Sequence, residues 1–323
     1  TLMRSSAASD VYKRQIQSFA DQPLEGFTYG SVNAPTGKEW ESPENLALNK
    51  EQPHAYFFPF QHLDNARKVL PENSKYWQSL DGDWKFHWAP DPDSRPKDFY
   101  QTEYDVSSWD AIPVPSSWNI YGIQKDGSQK YGTPIYVNQP VIFQHSVKVD
   151  DWRGGVMRTP PANWTTYKDR NEVGSFRRDF EIPQDWDGRE VFISFVGVDS
   201  FFYLWINGQY VGFSKNSRNT ANFNITPYLQ KGKNTVAAEV YRSSDGSFLE
   251  AQDMFRLPGI FRTVALYSVP KVHFRDLVAT PDLDATYTDG SLTVNAEIRN
   301  LDKKAIKDYK VYYLSLIHIS EPT

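Results

Sequence analysis

The segment SDGSFLEAQDMFRLPGIFR, residues 244–262, combines carboxylates, arginines, aromatics and glycines in a short stretch. Its charged residues are Asp245, Glu250, Asp253, Arg256 and Arg262. Two of the carboxylates could form an acid/base pair if their surroundings separated their pKa values. Alternatively, Asp245-Gly246 forms a turn and the other two acids pair with the arginines to hold a loop. We favour the loop, because the counterions are present within the segment itself.

Composition limits the classes of function. The chain has 323 residues, of which 39% are hydrophobic, so it can bury a core and exceeds one typical domain. A formal net charge of -5 offers no broad basic surface to phosphates, and we expect no nucleic acid partner. The longest apolar runs, such as FFYLWI at residues 201–206, fall short of the roughly 20 residues that cross a bilayer, so we expect no membrane span. The chain has no cysteine, which excludes disulfides and thiolate metal sites.

The two ends of the chain resemble translated sequencing-library adapters. DVYKRQ at residues 10–15 can be encoded by a string whose reverse complement encodes LSLIHI, residues 314–319. Such a mirrored match is hard to obtain by chance. We predict that residues 1–15 and 314–323 are adapter sequence and that a downstream domain has been lost with the natural C-terminus. Whether a signal peptide preceded residue 16 stays open. Finding these codons in the source locus would contradict this prediction.

Between those ends the pattern is that of strands. Residues 16–65 show no helical period and predict an extended arm lying over a domain surface. WKFHW, from Trp84, alternates strictly and predicts a half-buried strand, and similar alternation recurs near residues 176–182, 235–241 and 261–267. The Asn207-Gly208 pair predicts a tight type I′ hairpin.

These strands, without βαβ alternation, predict an all-β chain whose main domain is an antiparallel jelly-roll β-sandwich over residues 66–268. After Pro270 the sequence carries fewer aromatics and predicts shorter strands. This pattern predicts that residues 270–313 form the truncated start of an immunoglobulin-like β-sandwich. Half a sandwich exposes unpaired strand edges, so we expect this piece to fold poorly or aggregate in isolation.

Several motifs, in this order, resemble the amino-terminal sugar-binding domain of glycoside hydrolase family 2, and within it the large bacterial β-galactosidases. The motifs are YWQSLDGDWKFHW at 76–88, VPSSWNIYG at 114–122, YGTPIYVN at 131–138, LWINGQYVGFSKNSR at 204–218 and the segment at 244–262. The resemblance extends over about residues 38–283. The arm KEWESPENLALNKEQPHAYFFPF resembles those of the galactosidases more than those of the family's glucuronidases and mannosidases.

The resemblance implies a galactose-binding-like jelly roll, an immunoglobulin-like domain and then a TIM barrel that carries catalysis. It implies retaining hydrolysis of terminal β-galactosides by two barrel glutamates, with Mg²⁺ and Na⁺ as cofactors of the full-length enzyme. We therefore expect no catalytic residue in this chain and an inactive fragment. Its expected partners are the β-galactoside substrate, its own downstream barrel and, in a homo-oligomer, further copies of the protein.

Two asparagines are the candidate substrate residues. Asn138 matches a family asparagine that reaches into the barrel pocket and binds a sugar hydroxyl, a role that suits an amide because it both donates and accepts. It could instead satisfy the backbone of a tight loop. Asn216 stands where these galactosidases carry an aspartate that contacts galactose and sodium. Its neutral amide leaves substrate contact and a weak sodium-type metal site as expectations, with sodium dependence in doubt.

Two alternatives and the location stay open. The chain could be a stand-alone carbohydrate-binding module, or could belong to a β-glucuronidase or β-mannosidase of the same family. Trp118, Trp164 and Trp205 could stack on a sugar ring, although tryptophan in a sandwich more often packs in the core. The long arm favours a periplasmic or secreted protein over a cytoplasmic one.

Overall fold

The computed structural model describes residues 34–41, 46–134, 171–250, 254–307 and 309–312. Fifteen strands account for most of the regular structure there. They are β1 (Ala47–Leu48), β2 (Trp77–Ser79), β3 (Gly82–Ala89), β4 (Asp110–Val114), β5 (Val173–Glu181), β6 (Glu190–Phe195), β7 (Val198–Asp199), β8 (Phe201–Ile206), β9 (Gln209–Ser214), β10 (Ala221–Asn224), β11 (Lys233–Tyr241), β12 (Gly259–Ile260), β13 (Val264–Val269), β14 (Val272–Leu283) and β15 (Gly290–Asn300).

The helices of the described residues are single turns. The α-helical turns are Leu63–Ala66, Trp118–Tyr121 and Ser247–Glu250, and the 3₁₀ turns are Glu39–Glu41, Pro71–Asn73, Gln184–Trp186 and Thr226–Tyr228. Among the residues that the structure describes, none of these helices has the length or the apolar character needed to cross a membrane.

Two antiparallel sheets form a β-sandwich, as the alternating strands predict. The larger sheet has seven strands in the order β1-β9-β8-β11-β5-β3-β4, and the smaller has four in the order β10-β6-β13-β2. The strands predicted near residues 176–182, 235–241 and 261–267 are present as β5, β11 and β13. The prediction of an all-β sandwich is confirmed.

The inner core lies between the two sheets. Trp84 and Phe86 of β3 face Ile193 and Phe195 of β6 in one apolar cluster, and each is at most 1% exposed. Burying an aromatic or large aliphatic side chain of this kind contributes about 1.5–3 kcal/mol. The alternation of WKFHW therefore does correspond to an inward-facing aromatic row.

A second apolar cluster lies on the outer face of the larger sheet. Tyr203 and Trp205 of β8 point to this face, where Trp40 from the arm and Phe99 from the β3–β4 connection cover them. The ring of Tyr100 stacks on Trp205, with centroids 4.9 Å apart and planes within 7°. The central strands are thus buried on both faces, which explains why β8 is a continuous apolar run.

The turn between β8 and β9 is the predicted tight hairpin. Asn207 and Gly208 both adopt positive φ, 52° and 77°, as a type I′ turn requires. The Asn207 amide also donates to the Tyr228 carbonyl at 2.9 Å and accepts from the Thr235 amide at 2.8 Å. This side chain therefore connects the hairpin to the start of β11.

The described part of the arm adds a strand to the larger sheet. Its strand β1 pairs with β9 in the register Ala47↔Ser214 and Leu48↔Phe213. A Cβ on Gly212 would lie 2.1 Å from the Leu48 carbonyl oxygen, so the close approach of these strands requires a glycine there. The arm closes this edge of the sandwich.

The described residues fall into two compact units, one that ends at Val269 and one that begins at Pro270. The second unit is a hairpin of β14 and β15, with a bulge between Phe274 and Asp276. Large apolar side chains of this hairpin, including Val294 and Ile298, are about half exposed. With 12 and 11 residues, β14 and β15 are the longest strands described, so the prediction of shorter strands after Pro270 is wrong. The immunoglobulin-like fold of this part stays a prediction. Residues 1–15 and 314–323 lie outside the described residues, and the predicted domain limits stay predictions.

Candidate functional site

Asn216 lies in the loop that joins β9 to β10. Its φ of 75° is in the left-handed region, where asparagine is among the few non-glycine residues that are tolerated. Asn216 is exposed, while Lys215 and Ser217 on either side are 3% and 1% exposed. The two buried neighbours hold the loop, and the amide of Asn216 is presented to solvent.

Lys215 forms a buried ion pair with Asp245. Its Nζ lies 2.8 Å from Asp245 Oδ1, and both side chains are at most 6% exposed. Burial lowers the pKa of Lys215, and the carboxylate of Asp245 opposes that change. The Asp245 amide in turn donates to the Trp40 carbonyl at 3.0 Å. This pair therefore links the Asn216 loop to the segment 244–262 and to the arm.

Glu250 holds the loop from its other side. Its Oε1 accepts from the Ser217 amide at 2.7 Å, and its Oε2 accepts from the Ser217 hydroxyl at 2.6 Å. Ser217 is thus a partner of Glu250 that the sequence did not predict, and the predicted pairing with Arg256 or Arg262 stays a prediction. Asp253 lies outside the described residues.

A third carboxyl, Asp199 at the end of β7, belongs to the same cluster. The Ser217 hydroxyl lies 3.3 Å from its Oδ1, and Arg218 Nη2 lies 3.7 Å from its Oδ2. Burial raises the pKa of Asp199 to about 7, and the nearby charge of Glu250 adds to the rise, while Arg218 opposes it. At neutral pH this carboxyl is therefore partly protonated.

Sequence analysis did not identify Asp199. The available signal was an acidic residue inside the apolar run FVGVDSFFYLWI, where an unpaired charge is costly to bury. A buried acid between two strands is the type of residue whose pKa departs from its usual value. The partner, Ser217, is separated from it by a complete hairpin, so no local spacing could reveal the pairing.

Asn138 lies outside the described residues, but the nearest described chain on either side of it, at Thr133 and Glu172, is fixed by hydrogen bonds. Glu172 accepts hydrogen bonds from Trp118 Nε1 at 3.0 Å and from the Asn119 amide at 3.1 Å. It also forms a buried ion pair with Arg242, whose Nη2 donates to the Thr133 carbonyl at 2.7 Å. These contacts join residue 133 and residue 172 to the same buried network.

The tryptophans divide between core and undescribed chain. Trp118 is fully buried in the inner core, and Trp205 is 3% exposed within the cluster on the outer face of the larger sheet. Neither can stack on a sugar ring in this arrangement. Trp164 lies outside the described residues.

The β-sandwich described above coincides with a match to a known protein family. Residues 77–270 match the model of the sugar binding domain of the glycosyl hydrolases family 2. The chain belongs to glycosyl hydrolase family 2. The motifs that carry the resemblance, from YWQSL through GIFR, lie within or beside the matched residues of this family 2 chain.

Relatives in family 2 are named as β-galactosidases. The chain is 42% identical over 263 residues to a "Beta-galactosidase" of Priestia megaterium, covering 81% of this chain and 24% of that protein. It is 34% identical over 290 residues to the "Beta-galactosidase large subunit" of Lactobacillus helveticus, covering 85% of this chain and 42% of that protein. The chain thus spans about a quarter to two fifths of the length of these relatives.

The chain also matches part of a solved β-glucuronidase. The crystal structure of Bacteroides uniformis β-glucuronidase matches with a TM-score of 0.49 at 20% identity, over 69% of this chain and 22% of that chain.

Proposed function

We propose that the family 2 chain is the amino-terminal, sugar-binding lobe of a retaining β-galactosidase, and that the reaction takes place in a following barrel. The observation that carries the proposal is the extent of the similarity to β-galactosidases, which runs along 81% of this chain but only 24% of the Priestia relative. The hydrogen bonds and the ion pair that hold Asp245 and Glu250 within this lobe also support a reaction site in the following barrel.

The described acidic side chains of segment 244–262, Asp245 and Glu250, bind other residues of the fold. Asp245 is paired with Lys215 in the interior, and both oxygens of Glu250 accept hydrogen bonds from Ser217. A retaining glycosidase needs two carboxyls about 5–5.5 Å apart on either side of a substrate bond. Acids that hold a loop in this way are not available for that role, so the segment supports a neighbouring site and does not perform the reaction.

An exposed apolar surface next to the Asn216 loop supports a covering domain. Leu249, Met254 and Phe255 are 81%, 46% and 55% exposed, and they flank Glu250, which binds the loop. Large apolar side chains clustered on a surface indicate an interaction site. A barrel packed on this surface would bring its pocket to the loop that carries Asn216.

In this proposal Asn138 and Asn216 extend from the lobe and hydrogen-bond sugar hydroxyls of a β-galactoside in the barrel pocket. Asn216 is suited to it, because its amide is exposed while its neighbours are fixed. Among the described residues, no group of three or more His, Asp or Glu side chains is placed to hold a metal ion. The single neutral amide of Asn216 does not fit a cation site by itself, and no step of the proposal depends on sodium or magnesium.

The decisive experiment compares this chain with the longer protein that includes the downstream domains. Both are assayed with chromogenic β-galactoside, β-glucuronide and β-mannoside substrates. We expect galactoside hydrolysis by the longer protein and none by the chain of residues 16–313. Hydrolysis by the chain alone would refute the proposal, and a preference for glucuronide or mannoside would assign the lobe to another member of the family.

Asn138 tests the contact with substrate. In the longer protein, Asn138→Ala should raise KM for the galactoside by about tenfold, the effect of removing about one hydrogen bond to the sugar. Asn219→Ala, an exposed asparagine in the same chain, is the matched control and should leave KM unchanged. An unchanged KM for Asn138→Ala would contradict the assignment. We also propose that the longer protein is exported, which cell fractionation would test, and that it forms a homo-oligomer, which light scattering would test.

A further inference from the structure

A cleft on the jelly roll opens where β4 ends before β3 does. The pairing of these strands stops at Phe86↔Asp110, while β3 continues to Ala89 with β5 on its other side only. The connection before β4 and the residues around Lys130 form the remaining walls. The cleft has a volume of about 370 Å³, within the range of about 300–1,000 Å³ that is usual for small-molecule sites.

One wall of the cleft is aromatic. Trp109 is half-buried, with its ring 5.3 Å from that of His87 and 6.0 Å from that of Tyr104. Aromatic rings on a partly open surface offer a flat apolar face without a large entropic cost. Such a face matches the C–H side of a pyranose ring.

The opposite wall carries a polar group of three side chains. Asp110 Oδ1 accepts from Lys130 Nζ at 2.8 Å, and its Oδ2 accepts from the Tyr131 hydroxyl at 2.7 Å. A carboxylate has about four acceptor positions and an ammonium three donors, so both Asp110 and Lys130 keep capacity for a ligand. Adjacent donors and acceptors of this kind bind vicinal hydroxyls.

The protonation states of this group fit the same ligand. The hydrogen bonds from Lys130 and Tyr131 lower the pKa of Asp110, so it is a carboxylate at neutral pH. Burial raises the pKa of Tyr131 to about 12, so its hydroxyl remains a donor. The paired charges of Asp110 and Lys130 cancel, which favours a neutral ligand over an anion or a cation.

We infer that this cleft is a second carbohydrate-binding site, which takes a neutral pyranose unit of a galactoside or oligosaccharide. Trp109 supplies the stacking face, and Asp110 with Lys130 binds hydroxyls. The site is formed by residues other than Asn138 and Asn216, so it does not depend on their proposed contact with substrate. It would hold a saccharide on the lobe while the reaction proceeds elsewhere.

Calorimetric titration of the full chain with lactose tests the inference. Wild-type protein should bind lactose saturably, and Lys130→Met should weaken binding about tenfold, since it removes a charge-assisted hydrogen bond but keeps most of the side-chain stem. Trp109→Phe, which retains an aromatic core residue, should weaken binding about threefold to tenfold. Lys125→Met is the matched control, because Lys125 is exposed in the same connection and lies outside the cleft.

Asn138→Ala separates this site from the proposed contact with the barrel pocket. Lactose binding that is lost in Lys130→Met and retained in Lys125→Met and Asn138→Ala establishes the cleft as the site. Binding by Lys130→Met with wild-type affinity overturns the inference, as does loss of binding in Asn138→Ala alone. Absence of saturable lactose binding by the wild-type chain also overturns it. Equal melting temperatures of the variants show that each result reflects binding and not folding.

Discussion

Asp199→Asn should stabilise the sandwich at neutral and alkaline pH but not at acid pH. In the folded chain burial raises the pKa of Asp199 from 3.8 to about 7. A carboxyl with a raised pKa stabilises the fold fully below its unfolded pKa, and that contribution is lost as the pH rises through the folded pKa. The interval from 3.8 to about 7, at about 1.36 kcal/mol per pH unit, corresponds to at most about 4 kcal/mol.

Asparagine is uncharged at every pH, and its NH₂ group can donate to the Ser217 hydroxyl oxygen, so the variant avoids that loss. The free energy of unfolding of both proteins is measured by urea denaturation between pH 4 and pH 8.5. The difference in favour of Asp199→Asn should be near zero at pH 4, grow up to about pH 7 and then level off. Subtracting the wild-type value removes the titration of all groups that the two proteins share.

Asp126→Asn provides the control. Asp126 is fully exposed and its pKa is lowered by hydrogen bonds from Ser128, so its substitution should give no increasing advantage above pH 5. A difference between Asp199→Asn and wild type that does not vary with pH would refute the role assigned to burial. So would a variant that is less stable than wild type at pH 8, which would show that attraction by Arg218 outweighs burial.

Three further predictions concern the same region. Lys215→Met leaves Asp245 buried without its cation and should lower the free energy of unfolding by about 3–5 kcal/mol. Adding Asp245→Asn should restore part of that free energy. A loss below about 1 kcal/mol in the single variant would show that the ion pair is not buried from solvent. Gly212→Ala places a Cβ against the Leu48 carbonyl and should release β1, which limited proteolysis would detect as faster cleavage of the arm; an unchanged cleavage rate would show that the strands adjust. Asn216→Asp in the longer enzyme should produce a sodium-dependent decrease in KM that potassium does not reproduce, whereas equal KM in both salts would exclude a cation role for this position.

The sequence is informative where a local rule decides the structure. Asn207-Gly208 predicts its hairpin because few residue pairs other than Asn-Gly accept the two successive positive φ angles of a type I′ turn. The alternation from Trp84 predicts which side chains of β3 face the core, because every second residue there is aromatic. Sequence reasoning is weaker where distant segments meet. The sequence suggests arginines a few residues away as partners of Glu250 and gives no sign of Ser217, which the structure brings to it from another loop.

The same limit applies to the outer apolar face. The tyrosine and tryptophan of β8 alternate with inward residues that are equally apolar, so the run carries no period from which a face could be assigned. What covers that face, Trp40 and Phe99, comes from irregular segments with no strand or helix pattern. The role of Asp199 is difficult to predict for a related reason, since its neighbours in sequence are the apolar residues of a core strand.

The pairing of β1 with β9 also sets an order of events during synthesis. Asn49 donates to the carbonyl of Val211, a partner 162 residues further along the chain, so the arm leaves the ribosome well before the strand it binds. Until the β8–β9 hairpin has emerged, the arm has no strand to pair with. Contacts this distant in sequence are slow to form. Because β11 and β13 follow β9, neither sheet is complete before translation has passed residue 269, and strand edges stay open to other nascent chains until then.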